Sequence, residues 1–111
     1  MAEYLLLIRG GADDAATPEA LADVLQQYRV WAQNLQKNGQ LVDVAKLVDD
    51  GVRLRKGAQA IQVDGPFIET KETIGGFYIV KADSYDVACR IAQDCPVFEM
   101  GGCIEVRAIQ Q

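Results

Sequence analysis

Five polar residues that could act on a small molecule stand close together: Asp64, Glu69, Thr70, Lys71 and Glu72, in the run Asp64-Gly65-Pro66-Phe67-Ile68-Glu69-Thr70-Lys71-Glu72. A carboxylate that is partly desolvated, or that lies near another acid, holds its proton more tightly and can exchange it with a ligand. Asp64 and Glu69 are therefore the candidate acid/base pair, and an Asp64 that points into a cleft could orient or deprotonate a bound molecule. Lys71 offers a mobile point charge to an anionic group, without the bidentate geometry of arginine. In extended backbone Glu69 and Lys71 share one side while Thr70 and Glu72 share the other, so only one set can face a pocket at a time. The same residues also have ordinary structural uses. Asp before Gly-Pro accepts backbone N–H bonds and fixes a turn, and Lys71 beside two acids balances their charge in ion pairs worth about 0–1 kcal/mol. The turn-fixing and ligand-facing roles of Asp64 stay open at this level and can coexist.

Several chemistries lack their residues. The chain contains no histidine, so proton transfer near neutral pH would need another group brought to a suitable pKa. Asp64, Glu69 and Glu72 come without the Asp-x-Asp-x-Asp-Gly spacing of a hard-cation loop, and no metal is expected. Gly10-Gly11 and Gly75-Gly76 match neither of the glycine-rich phosphate-binding patterns, so no nucleotide cofactor is expected. Cys89, Cys95 and Cys103 are odd in number and show no Cys-x-x-Cys spacing, which predicts reduced structural thiols. Net charge is −5, and the eleven basic residues are scattered, which argues against nucleic acid as a partner. No segment reaches the roughly 20 apolar residues of a membrane span. The opening Met1-Ala2-Glu3 followed by Tyr4 to Ile8 lacks the form of a signal peptide, which makes a cytoplasmic location the expectation.

The elements that must position these residues can be read from periodicity. Tyr4-Leu5-Leu6-Leu7-Ile8 is a continuous apolar run, suited to a central strand. Thr17-Pro18-Glu19 combines an N-cap, a proline at the first helical position and an acid in the first turn. Leu21, Val24, Leu25, Tyr28, Ala32 and Leu35 then follow a 3.6-residue stripe, with Trp31 at its edge and Gly39 as the stop. Leu41 to Val48 and Val52 to Arg55, on either side of Asp49-Asp50-Gly51, read as a hairpin or bent strand pair. Ala58 to Val63 is a further extended run, closed by Asp64-Gly65-Pro66. Gly75-Gly76-Phe77-Tyr78-Ile79-Val80 is an apolar strand whose paired glycines predict close backbone approach. Asp83 or Ser84 caps a second helix carrying Val87, Ala88, Ile91, Ala92 and Cys95 inward and ending at Pro96. Cys103 to Ile109 alternates Ile104, Val106 and Ala108 with Glu105 and Arg107. The order predicts one α+β domain over residues 1–111: a ferredoxin-like β-α-β-β-α-β core with an extra hairpin or extension in the middle, an antiparallel sheet, and both helices on one face. The other face has no chain left to cover it, so a homodimer is expected. Arg9, Tyr78, Glu105 and Arg107 are further candidates to line a cleft on the sheet.

The run Asp64 to Glu72, followed by Ile74-Gly75-Gly76-Phe77, resembles the D-G-P-F-x-E-T-K-E…G-G-F/Y signature of the DGPF branch of YCII-related proteins. The likeness extends to Tyr4 to Ile8, to Gly39 and Leu41, and to Gly101-Gly102-x-Ile104-Glu105-Val106-Arg107, nearly the whole chain. The resemblance implies a dimeric α+β barrel in which two sheets pack face to face. The wider family includes enzymes resembling muconolactone isomerase, with dehydrochlorinase activity, that use a His–Asp pair. That mechanism does not transfer to a chain without histidine. Genes of the DGPF branch often neighbour those of sigma factors, which implies a regulatory association. Three readings follow: a homodimeric module that binds a small polar metabolite or regulates; a histidine-independent lyase or isomerase acting on small organic acids; and an interaction protein that docks a sigma factor.

Overall fold

The computed structural model describes residues 2–10, 17–48, 51–64 and 74–111, with the backbone alone at residue 64. Strand β1 (Ala2–Arg9) lies at the centre of a four-stranded sheet, between β5 (Ile74–Ala82) and β6 (Cys103–Ala108), with β2 (Leu41–Lys46) at the outer edge of β5. All three pairings are antiparallel. The spatial order β2-β5-β1-β6 is the ferredoxin-like arrangement anticipated from the element order. Burial along β1 alternates, with Tyr4, Leu6 and Ile8 inward, although Leu5 and Leu7 are equally apolar. Hydropathy therefore marked the strand, and the packing of the helices chose its inner face.

Helix α1 (Pro18–Lys37) starts as its sequence predicts, with the Thr17 side-chain oxygen accepting the Ala20 N–H at 3.1 Å. It ends as predicted too, at Gly39 with φ +71°, a conformation a side chain would strain. Its burial differs from the predicted stripe. Trp31, expected at the edge, is buried together with Leu35, while Leu21 and Leu25 are 46% and 42% exposed. Twenty residues make a rod of about 30 Å, and only its C-terminal half lies over the core. Helix α2 (Tyr85–Gln93) is capped by Ser84 and buries Ala88, Ile91 and Ala92. Pro96 opens a short 3-10 helix (Pro96–Met100) that the periodicity did not reveal. These segments bury Leu6 and Val80 completely, with Tyr4, Ile8, Tyr78, Ala82, Cys95 and Val97 around them.

The predicted pairing of 41–48 with 52–55 is corrected. β2 joins the main sheet beside β5, and β3 (Arg53–Lys56) pairs with β4 (Ile61–Asp64) as a separate two-stranded ribbon. A local turn decides this pairing: the Gly57 N–H donates to the Ala60 carbonyl at 2.8 Å, which closes the chain between the two ribbon strands. β4 ends at Asp64, before Gly65-Pro66, as expected.

The three cysteines are free thiols in three environments. Cys95 is buried, as a structural thiol should be. Cys103 is exposed, against the expectation, because it begins an edge strand on the face that the helices leave open. Brief treatment of the folded protein, diluted until it is monomeric, with a neutral alkylating reagent, read by peptide mass mapping, is expected to label Cys103 first and Cys95 last. Equal labelling of the two would contradict this burial.

Candidate functional site

The sheet face opposite the helices is built by strand alternation. Leu5 and Leu7 of β1 stand opposite Ile79 and Phe77 of β5, and Ala45 of β2 continues the row beyond Phe77. On the other side Leu7 faces Glu105, Leu5 faces Arg107 and Arg9 faces Cys103. The four large apolar side chains at the centre are only partly exposed, since each is flanked by its neighbours, yet no layer of the described chain lies over them. The product is an apolar floor with a charged border along β6.

Glu105 organises that border. Its Oε2 accepts a hydrogen bond from Arg107 Nη1 at 3.0 Å, and its Oε1 lies 3.7 Å from Arg9 Nε across the strand pair. The Arg107 pair is the expected i, i+2 contact on one side of a strand, and Arg9 reaches Glu105 diagonally. Exposed pairs of this kind add little to stability, roughly 0–1 kcal/mol. They bring two guanidinium groups together beside an apolar surface, with one carboxylate between them. Such an arrangement suits an anionic group attached to a flat or apolar body.

Of the residues singled out by their chemistry, Asp64 closes β4, with Arg53 as its backbone partner. Glu69, Thr70, Lys71 and Glu72 lie outside the described residues. Two positions after Glu72, β5 opens at Ile74, whose Cα partner is Arg9. Arg9, Glu105 and Arg107 come together as one row, while Tyr78 leaves that group. It lies on the covered face, its ring 4.5 Å from that of Trp31. The alternation of β6 already placed Glu105 and Arg107 on one side; their link to Arg9 required the register.

The paired glycines of β5 are unequal. A side-chain carbon at Gly76 would lie 2.7 Å from the Ala45 carbonyl oxygen, and one at Gly75 would meet nothing nearer than 3.9 Å. Close backbone approach is therefore real at Gly76, where β2 leans on β5 and sets the position of Ala45 on the open face.

A second concavity, of about 680 Å³, lies on the helical side between α1 and the 3-10 helix. Trp31, Leu35 and Cys95 form its floor, and Asp94 and Glu99 stand on its rim. Beside the floor, the Tyr28 hydroxyl and the Cys95 thiol lie close enough to perturb each other. Burial pushes both groups toward their neutral forms, so this side holds packed, protonated chemistry and no charged anchor among its buried residues. The open sheet face is the better candidate. Among the described residues no helix is long and apolar enough to cross a membrane.

Comparison with known proteins agrees with this architecture. The model of the YCII-related domain matches residues 2–111. An uncharacterized protein of Rhizobium meliloti (strain 1021) is 44% identical over 59 residues, which cover 50% of this chain and 48% of that one. The chain thus aligns with about half the length of that relative. Among solved structures, 5-chloro-2-hydroxyhydroquinone dehydrochlorinase from Burkholderia phenoliruptrix AC1100, in complex with 2,5-dihydroxybenzoquinone, superposes with a TM-score of 0.56 at 15% identity. The match covers 98% of this chain and 94% of that chain. At that identity the likeness concerns the fold.

Proposed function

The chain belongs to the YCII-related domain family, and we propose that it works as a homodimeric ligand-binding module for a small polar metabolite carrying an anionic group. Two copies would bring their open sheet faces together and enclose the ligand between them. The observation that carries this reading is the open face itself: Leu5, Leu7, Phe77 and Ile79 bordered by the Arg9–Glu105–Arg107 row. An apolar face of this extent gains by pairing with a second copy. The guanidinium groups would then be drawn into a partly dry space, where charge recognition strengthens. In this scheme Asp64, Glu69, Thr70, Lys71 and Glu72 contribute polar contacts to the ligand.

Catalysis is a second reading, favoured by the fold shared with a dehydrochlorinase that binds a dihydroxybenzoquinone. It keeps the same binding step and adds a proton acceptor, Asp64 or Glu69, in a histidine-independent lyase or isomerase of small organic acids.

A thermal-shift screen against small aliphatic and hydroxylated aromatic acids tests the binding step. A ligand at about 100 times its dissociation constant stabilises a protein by roughly 2.7 kcal/mol. Acids are expected to raise the melting temperature of the wild type, and Arg107→Gln is expected to lose most of that shift while keeping its own stability. A shift unchanged in Arg107→Gln would place the ligand elsewhere. Turnover of a bound acid that disappears in Asp64→Asn, with binding retained, would select the catalytic reading.

A further inference from the structure

The concavity between α1 and the 3-10 helix lies on the opposite side of the sheet from the open face, so a dimer built through that face leaves it accessible. Its α1 wall runs from Gln26 to Asn38, about 18 Å of helix. The end of α2 and the 3-10 helix form the other wall. The lining has one sign of charge. Asp94 and Glu99 stand on the rim, and among the described residues that line the space there is no Lys or Arg. Arg29 donates to the Gln26 side-chain oxygen at 2.9 Å, at the N-terminal end of the α1 wall, without joining the lining. The uncharged lining is of two kinds. Trp31 on the floor and Phe98 on the wall give aromatic surface, and Phe98 stays 46% exposed. Side-chain amides, Asn34 among them, give carbonyl oxygens.

From this lining we infer that the concavity is a binding site for a small organic ammonium ion. Three features act on the same charge. Aromatic rings attract a cation through their electron-rich faces, an indole most strongly, and the attraction grows where water is excluded. Trp31 is already held by its contacts with Tyr28 and Tyr78, so the floor needs little ordering when a ligand arrives. The rim carboxylates supply the counter-charge, in a chain whose net charge is −5. The amide oxygens offer the negative end of a dipole to a cation, whether or not it carries N–H groups. Other ligand classes fit less well. An anion would meet two acids and no base, and a purely apolar molecule would strip water from amides and acids without replacing those bonds. A neutral polyol could bond to the amides, but it would draw nothing from the sign of the rim. The space, about 680 Å³, is of the size that encloses a small metabolite. This site differs in place and in sign from the anion site of the open face, so neither reading depends on the other.

Trp31 is the only tryptophan of the chain, so its fluorescence reports on the floor directly. Titration of the full chain at low salt with choline, and separately with the uncharged isostere in which a quaternary carbon replaces the nitrogen, tests the site. Choline is expected to change the emission saturably and to bind about tenfold or more tightly than the isostere. The double variant Asp94→Asn/Glu99→Gln, altered only at exposed positions, is expected to keep its melting temperature and to bind choline about tenfold or more weakly. The isostere comparison uses the wild type alone and stands even if the variant folds poorly. No saturable change up to about 10 mM choline, or undiminished binding by the folded variant, overturns the cation site. Equal binding of choline and the isostere also overturns it, in favour of an uncharged ligand. Acid binding at the open face is read separately through Arg107→Gln, so the two sites can fail independently.

Discussion

Gly76→Ala is expected to destabilise the fold by about 1–3 kcal/mol, the range of an overpacked interior position, while Gly75→Ala is expected to be neutral or slightly stabilising. The two residues are adjacent and chemically identical, so propensity cannot separate them. Added to Gly76, a methyl group meets the Ala45 carbonyl oxygen at 2.7 Å and the Lys46 Cα at 3.4 Å. Both are backbone atoms of β2, which cannot rotate away as the end of a side chain can. Relief requires β2 to move outward, weakening its pairing with β5 and shifting Ala45 on the open face. At Gly75 the nearest atom is the Ile8 carbonyl oxygen at 3.9 Å, so alanine fits and restricts the unfolded chain, a gain of about 0.4–1 kcal/mol where the backbone is compatible. In a domain of this size each kcal/mol moves the melting temperature by roughly 4–8 °C. Thermal unfolding should therefore place the Gly76→Ala midpoint well below the wild type and the Gly75→Ala midpoint at or above it. Equal midpoints would mean that β2 does not press on Gly76.

The same pair shows what was legible before the fold was known. Paired glycines in a strand announce close approach, but which one is crowded depends on where the β2–β5 register shift between Leu41 and Asp43 leaves the Ala45 carbonyl. Elements with local signals were predicted correctly: the Thr17 cap, the Gly39 stop and the Ser84 cap each depend on a few neighbouring residues. The ferredoxin-like order of the main sheet followed from the order of the elements, but the partner of β2 did not. Leu41 to Val48 looked like one side of a hairpin because Asp49-Asp50-Gly51 is good turn sequence, yet β5 offers β2 a longer apolar partner. Trp31 looked peripheral on a helical wheel. It became central because Tyr78 rises from the sheet beneath it, 4.5 Å away between ring centres. The candidate site divides in the same way. The chemistry of Asp64 to Glu72 is visible in residue types alone. The Arg9–Glu105–Arg107 row joins residues about a hundred positions apart, and it becomes visible only once the register of β1 on β6 is known.

Stability is expected to fall steeply at alkaline pH, from about pH 9 upward, and the buried cluster behind Trp31 supplies much of the slope. Burial raises the Tyr78 hydroxyl from its ordinary value of 10.0 to about 12, with the nearby Cys95 adding to the effect. Tyr28 is raised by burial and by its contact with Cys95, and Cys95 by burial against the opposing hydrogen bonds from Val97 and Tyr28. All three groups bind their protons more tightly in the folded chain than in the unfolded one. Their contribution is therefore complete below the unfolded values and is lost as pH rises, because unfolding releases protons there. For Tyr78 the loss runs from about pH 10 to about 12, where the folded group itself ionises. Urea unfolding of wild type and of Tyr28→Phe/Tyr78→Phe at a series of alkaline pH values separates this effect from the lysines, which both proteins share. The double variant, lacking two of the late-titrating hydroxyls, should show the shallower decline, and in the wild type the matching tyrosinate absorbance should rise with unfolding. Parallel declines in the two proteins would show that Tyr28 and Tyr78 ionise as freely in the fold as out of it.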